Sequence, residues 1–436
     1  MVNIKPFQGY RYNTEKVRME NAFSPPYDVI NPAMQEELYK KSAYNIVRII
    51  LGKDEKDDNE TENKYTRAAS FFRSWLKSGH IKQDDKPHMY VYSQEFLVGG
   101  KKMERTGLIT TTELEALGKN ILPHEFTLSG PKVGRKILLE KTEANFGQIF
   151  SIYLDKKMVV ESILENEKNK AAEFDVADFE GIRHKLWIIK DETAIKKIIE
   201  IMRDKKIFIA DGHHRYETSL EYSKEHPDNE KAKYIMMTLV NIMNKGLVIL
   251  PTHRLVKDIS VDAAKLIDGL KRNFSIEIFE SGKDNGKEAR EKMFKGMKTN
   301  ESKHAFGMYL GGNRYSVLTL TDEKVMDQKA KGHAKPWRRL DVSILHTLIL
   351  DGLLGIDTNK PEKQQYIEYM KDTKDAVDEC VEKVKSCACK VVFFMNPTKI
   401  DEVVDVAESG ERMPQKSTFF YPKVYTGLVM YRFGEK

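Results

Sequence analysis

The sequence predicts an α+β fold, on three observations. His88 to Leu97 and Lys101 to Thr112 read as two strands joined at Gly99-Gly100, a hairpin signal. His304 to Leu310 and Arg314 to Leu320 do the same around Gly311-Gly312-Asn313. Other stretches carry helical spacing, among them Tyr65, Ala68, Ala69, Phe72, Trp75 and Leu76. Hairpins mixed with helices argue against an all-parallel sheet.

Val2 to Gln8 opens with alternation. Ser24-Pro25-Pro26-Tyr27-Asp28 is a rigid extended-and-turn segment, because each proline also restricts its predecessor. Asn31 caps a short helix begun by Pro32. Asn45 to Leu51, with Ile46, Val47, Ile49 and Ile50, reads as a strand. Leu122 to Leu128 and Gly130-Pro131-Lys132 read as a loop, followed by a helix from Val133 to Ala144. A strand is expected over His184 to Ile189 and a helix over Thr193 to Met202. Strands follow at Ile207 to Ala210, Lys233 to Asn241 and Leu247 to Leu250, the last ending at Pro251-Thr252-His253-Arg254. Val261 to Phe274 and Asp284 to Thr299 are expected as helical, as are Asp341 to Leu354 (capped by Asp341) and Met370 through Val384. Lys390 to Met395 is a buried strand, Asp401 to Ser409 a helix, and Ser417 to Phe433 strands near a sheet edge.

At 436 residues the chain exceeds one ordinary core. Three regions are expected, at 1–120, 121–256 and 257–436. Forty per cent hydrophobic and 32% charged residues describe a soluble globular protein. Basic and acidic residues, 72 against 66, nearly balance at +6, which gives no general argument for nucleic acid. The three cysteines, Cys380, Cys387 and Cys389, are too few for a disulfide framework and point to a reducing compartment. No apolar run reaches membrane-spanning length and no signal segment opens the chain, so the expectation is a cytoplasmic protein.

The chemistry concentrates at one place. Ile207 to Ala210 is a short buried strand broken by Asp211-Gly212, and from His213 a helix runs until Pro227 stops it. Asp211 is well placed as its N-cap. Two imidazoles (His213, His214), the Arg215 guanidinium and a carboxylate therefore sit where free backbone N–H groups and the helix dipole favour an anion. Gly212 lets that backbone approach a ligand closely. The design suits phosphate, with Asp211 facing a metal or a hydroxyl; the competing reading is a capped turn with two solvated histidines.

Asp211-Gly212-His213-His214-Arg215 after a strand also resembles the signature of the ParB/sulfiredoxin-like superfamily, which includes ParB-type nucleotide-binding proteins, sulfiredoxins and free-serine kinases. The whole chain resembles the domain-of-unknown-function family 1015. The matching pieces include Ser24 to Ile30, Asn45 to Arg48, His124-Glu125, Gly130-Pro131-Lys132, Ala210 to Thr218, Leu250 to Arg254, Leu340 to His346 and Met413 to Thr418. The resemblance implies a ParB/sulfiredoxin-like core with a mixed sheet over 121–256 and additional α+β subdomains. It also implies a nucleotide-dependent kinase of a small hydroxylated metabolite, with free L-serine the leading acceptor, ATP or ADP the donor and Mg2+ the metal.

For that chemistry Asp211 orients the nucleophile or holds magnesium, and Gly212, His213, His214 and Arg215 face phosphate. Glu125 and Asp28 are candidate acid/base residues by chemistry only. Lys132 and Arg135, one turn apart, can face one anion or simply solvent. Arg48, in an apolar stretch, needs an acidic partner or a substrate carboxylate. Lys416, Ser417 and Thr418 offer a cation and two hydroxyls for substrate, though such hydroxyls often merely close turns. The alternative function is a ParB-like nucleotide-binding regulatory or DNA-associated protein, against which the charge balance and the missing helix-turn-helix count. A sulfiredoxin-like reductase ranks third, because that branch uses a cysteine where this turn has His213. Partners are then a nucleotide and a small molecule, with no membrane and no nucleic acid.

Overall fold

The computed structural model describes residues 1–125, 130–282 and 286–434, with the main chain alone at 130–132. The chain divides into two compact units. One comprises Met1–Pro123, Thr127–Val248 and Pro422–Lys436, the other His124–Phe126 and Ile249–Tyr421.

The first unit is built on a nine-stranded mixed sheet, ordered Ile121–Pro123, Ile207–Asp211, Ile149–Tyr153, Tyr234–Asn241, Lys101–Glu113, Met89–Val98, Arg183–Ile189, Phe174–Ala177, with Ile4–Lys5 also on Lys101–Glu113. Ile207–Asp211 runs parallel to Ile121–Pro123 and antiparallel to Ile149–Tyr153, which in turn is parallel to Tyr234–Asn241. Period-2 alternation puts Ile149, Tyr153, Ile207, Ile209, Met237 and Leu239 on one face. There they join one core with Val160 and Leu164 of helix Val159–Lys168 and Ile195, Ile198 and Met202 of helix Glu192–Arg203. Because Tyr234–Asn241 pairs with Lys101–Glu113, residues 1–120 and most of 121–256, expected as separate regions, share one sheet, while Thr252–Val256 belongs to the second unit. The tail from Pro422 belongs to the same unit, not to the rest of 257–436. The fold is a mixed α/β arrangement, in keeping with the α+β expectation.

The second unit carries a six-stranded antiparallel sheet, ordered Phe274–Glu280, Arg314–Leu320, Ala305–Tyr309, Val391–Phe394, Thr252–Val256, Ile367–Lys371. Met293 and Met297 of helix Lys287–Thr299 pack on it with Tyr309, Val317, Val384 and Phe394.

Several expectations need correction. Asn45 to Leu51 is not a strand: Asn45 Oδ1 accepts from Val47 N at 3.0 Å, closing an Asx turn that leads into the helical turn Val47–Ile50. The segment 370–384 is split, since Ile367–Lys371 is a strand and the helix is Ala376–Lys385. The helix expected to Phe274 spans Ala263–Leu270, and Phe274 starts a strand. Asp341 caps nothing: Leu340 is the N-cap, Asp341 Oδ1 bonds His304 Nδ1 at 2.7 Å, and the helix continues as a π-helix over Leu345–Asp351. His253 and Arg254 lie inside a strand of their own, Thr252–Val256. The helix at 130 begins earlier than expected, as Gly130–Thr142. Both hairpins and the Asn31-capped helix Pro32–Lys41 stand as read. Among the described residues no helix is long and apolar enough to cross a membrane.

Candidate functional site

The site starts from an irregularity in a strand. Ile209 pairs with Ser151, but Asp211 pairs with Phe150, so Ala210 and Asp211 together oppose a single residue. Such a bulge re-aims the side chain that follows it. Strict alternation would send Asp211 to the core face of Ile207 and Ile209. The extra residue instead puts it on the face of Phe150, together with Arg105, whose guanidinium lies 4.6 Å from the Phe150 ring centroid.

Gly212 then takes φ +96°, a left-handed conformation natural to glycine, and the helix His213–Glu225 begins. Gly212, not Asp211, is the N-cap, and no side chain caps the helix. Asp211 is turned instead toward two cations. Lys423 Nζ donates to Oδ1, and Arg215 Nη2 donates to Oδ2 at 3.1 Å. Arg215 Nη1 also donates to the Gln148 carbonyl at 2.8 Å, anchoring its fork to the neighbouring strand. Burial opposes ionisation of Asp211, but Lys423, Arg215 and then His213 outweigh it and hold the carboxyl well below the usual carboxylate range.

Lys423 is itself positioned by the sheet. Gln94 Nε2 donates to the Lys423 carbonyl at 3.0 Å, and Arg105 donates to Gln94 Oε1 and to the Pro422 carbonyl. Burial pushes Arg105 down to about 10, with Tyr92 and Asp211 opposing that shift.

Beside the turn lies an open cleft walled by Leu138, Leu139, Phe146 and Ile235 and by the polar residues Tyr27, Arg135, Arg215 and Thr218. The Arg135 guanidinium stacks 4.0 Å over the Tyr27 ring and Nη1 donates to the Ile50 carbonyl at 2.7 Å. No carboxylate among the described residues forms an ion pair with Arg135, and burial lowers its pKa. Burial raises that of the Tyr27 hydroxyl, against Arg135 and Arg215 and with Asp28 and Asp211. The exposed Asp28 thus belongs to the electrostatic surroundings of Tyr27 and Arg135.

The first unit therefore brings together Asp28, Arg135, Asp211, Gly212, His213, His214 and Arg215 of the residues singled out by sequence. Glu125, Lys416, Ser417 and Thr418 belong to the second. There Glu125 Oε1 accepts from Lys416 N at 2.7 Å, and Thr418 Oγ1 lies 2.8 Å from His124 Nε2. Ser417 Oγ donates to the Pro414 carbonyl, so this hydroxyl closes its turn. The buried Arg254 donates to the Lys416 carbonyl at 2.9 Å. Arg48 serves neither a carboxylate nor a strand. Its Nη2 and Nε donate to the carbonyls of Tyr39 and Ser42 at 2.8 and 3.3 Å, satisfying the end of helix Pro32–Lys41. The Lys132 side chain lies outside the described residues.

As for magnesium, no group of three or more His, Cys, Asp or Glu able to hold a metal occurs among the described residues. Asp211 alone suits an ion borne mainly by phosphate oxygens and water, the usual manner of Mg2+ in nucleotide sites. Sequence reasoning missed Lys423, Arg105 and Gln94. Arg105 carried a readable signal, a charge within the alternating strand Lys101–Glu113, whereas Lys423 carried none.

The family model described as "Protein of unknown function (DUF1015)" matches residues 4–343, a span that includes the Asp211 turn and stops short of Lys423. No curated protein matches the chain. Solved structures similar to it include a free serine kinase mutant in complex with ADP, at 13% identity and TM-score 0.32, covering 69% of this chain and 84% of that one. A conserved hypothetical protein from Pyrococcus furiosus matches at 15% identity and TM-score 0.32, covering 70% and 89%. SbnI with a C-terminal truncation, from Staphylococcus aureus, matches at 10% identity and TM-score 0.32, covering 70% and 81%. Likenesses this distant decide nothing about what this chain binds or does.

Proposed function

Since the chain belongs to the DUF1015 family of proteins of unknown function, we propose from its site that it is a nucleotide-dependent kinase acting on the hydroxyl of a small metabolite, with free L-serine as leading acceptor and ATP or ADP as donor. One observation carries the reading. A bulge and a left-handed glycine place Asp211, Arg215 and Lys423 together at the uncapped start of a thirteen-residue helix. Main-chain N–H groups, a helix dipole and two cations there favour a polyphosphate.

In this reading phosphate oxygens take the N–H groups beyond Gly212 and the side chains of His213, His214 and Arg215, whose fork suits two oxygens at once. Lys423 lies within reach of the same charge. Asp211, held well below the usual range by its cations, is a weak base. It orients the acceptor hydroxyl or holds the magnesium ion, which supplies charge neutralisation on the phosphates. Proton removal then falls to another carboxylate. Asp28, beside Arg135 in the same unit, is the candidate. The acceptor oxygen forms its bond to the terminal phosphorus as the bond to the bridging oxygen breaks, and the hydroxyl proton passes to that carboxylate.

The test is nucleotide consumption screened against a metabolite panel that includes L-serine, with mass analysis of the product. O-phosphoserine formed by the wild type, and turnover reduced about a hundredfold or more in Asp211→Asn with the fold intact, is the expected result. Consumption of no nucleotide with any hydroxylated metabolite would refute the kinase reading. Unchanged turnover in Asp211→Asn would remove that residue from the chemistry.

A further inference from the structure

We propose that the cleft beside the turn is the nucleobase pocket of the nucleotide site and reads an exocyclic amine, as on the adenine of ATP or ADP. This rests on the nucleotide-binding reading above and deepens it.

Three observations in the first unit carry the inference. First, the cleft's apolar walls suit a flat heterocycle. Leu138, Leu139, Phe146, Ile149 and Ile235 make it largely apolar, with few polar groups. Second, two cleft residues, Asn145 and Thr218, are 9% and 4% exposed, and Asn145 Oδ1 and Thr218 Oγ1 find no hydrogen-bond partner among the described residues. A buried polar atom left without a partner costs free energy, so such a pair marks where a ligand or water completes the set. The unmatched atom of Asn145 is an acceptor, which calls for a donor such as an exocyclic amine. Third, the spacing agrees with one molecule reaching both places. Thr218 stands on the same helix as His213, five residues on, which is about 7.5 Å of rise. A ribose bridges that span. Arg215 lines the cleft and also bonds Asp211, and so joins the phosphate end to the base end. The Arg135–Tyr27 stack adds a planar cationic wall on which an aromatic base can lie.

Calorimetry with ADP, IDP and inorganic pyrophosphate tests this on the full chain. ADP should bind at least tenfold more tightly than pyrophosphate, and at least tenfold more tightly than IDP, which lacks the exocyclic amine. Leu139→Trp, which fills the cleft, should reduce ADP affinity to the level of pyrophosphate while pyrophosphate still binds as in the wild type, a result that also reports an intact fold. Thr218→Val, nearly isosteric, should weaken ADP and spare pyrophosphate. If ADP and pyrophosphate bind equally to the wild type, the phosphate site stands and the base pocket is overturned. If ADP exceeds pyrophosphate but equals IDP, the recognition of the amine is overturned. If neither ADP nor pyrophosphate binds, the nucleotide reading fails and takes this inference with it.

Discussion

Removing the Lys423 charge tests whether the tail completes the site. Lys423→Met keeps most of the side-chain volume and deletes the ammonium that donates to Asp211 Oδ1. The side chains of Lys423 and Asp211 are only 13% and 17% exposed. Breaking a fully buried pair costs about 3–5 kcal/mol, an exposed one about 0–1 kcal/mol. Here burial is close to the first case, but Arg215 stays 3.1 Å from the other carboxylate oxygen and still offsets the charge. A cycle of Lys423→Met, Asp211→Asn and the double variant should therefore give a coupling of about 2 kcal/mol. Urea unfolding followed by tryptophan fluorescence measures it. A Trp337→Phe background confines the signal to Trp75 and Trp187, both in the first unit. The sign of the pH dependence follows from the carboxyl's lowered folded-state value. Its stabilisation is fully present above the unfolded value of about 3.9 and is lost as pH falls through the folded value. The coupling should thus be equal at pH 8 and pH 5 and fade only in strong acid. A coupling below about 0.5 kcal/mol, or one that declines between pH 8 and pH 5, would refute the argument.

Three further outcomes follow from the site. Gly212→Ala places a Cβ 2.9 Å from Arg215 Nη2 at a φ of +96°, so it should destabilise the first unit by about 1–2 kcal/mol in the same urea assay; no loss would mean that the turn is not strained. Arg215→Ala should weaken ADP binding at least tenfold by calorimetry while the fold persists, and unchanged affinity would move the phosphate site elsewhere. Free L-serine should be a far better acceptor than its carboxyl ester if a cation holds the carboxylate; equal rates of phosphorylation would exclude that contact.

Where the sequence was legible, the signal was local and long. Met89–Val98 and Lys101–Glu113 flank two glycines, and they pair antiparallel about that turn. Asn45 to Leu51 misled because β-branched residues crowd a run too short to show a period. Ile46, Val47, Ile49 and Ile50 are all buried in helical geometry, begun by a side-chain bond from Asn45. Ile149–Tyr153 passed unnoticed even though Ile149, Phe150, Ile152 and Tyr153 carry strand chemistry. At the site, Asp211 to Arg215 were readable because one turn holds them. Lys423 was not: its partner stands 212 positions earlier in the chain, and a lysine among many carries no local mark. The bulge at Ala210 was equally silent, since it depends on the register with Ile149–Tyr153.

The distance between Lys423 and Asp211 along the chain has a consequence for biogenesis. The first unit is discontinuous, and Ile249–Tyr421, apart from a short contribution from 124–126, supplies the whole of the second before Pro422 is reached. On a ribosome adding about 5–20 residues per second, Asp211 waits roughly 10–40 s for its lysine. During that interval the strand Ile207–Asp211 can pair with Ile121–Pro123 and Ile149–Tyr153, and the helix from His213 can form, but the carboxylate has Arg215 and His213 and not yet Lys423. The surroundings of Asp211 are therefore completed late, and a nascent chain arrested anywhere before Lys423 holds the turn without the tail's charge.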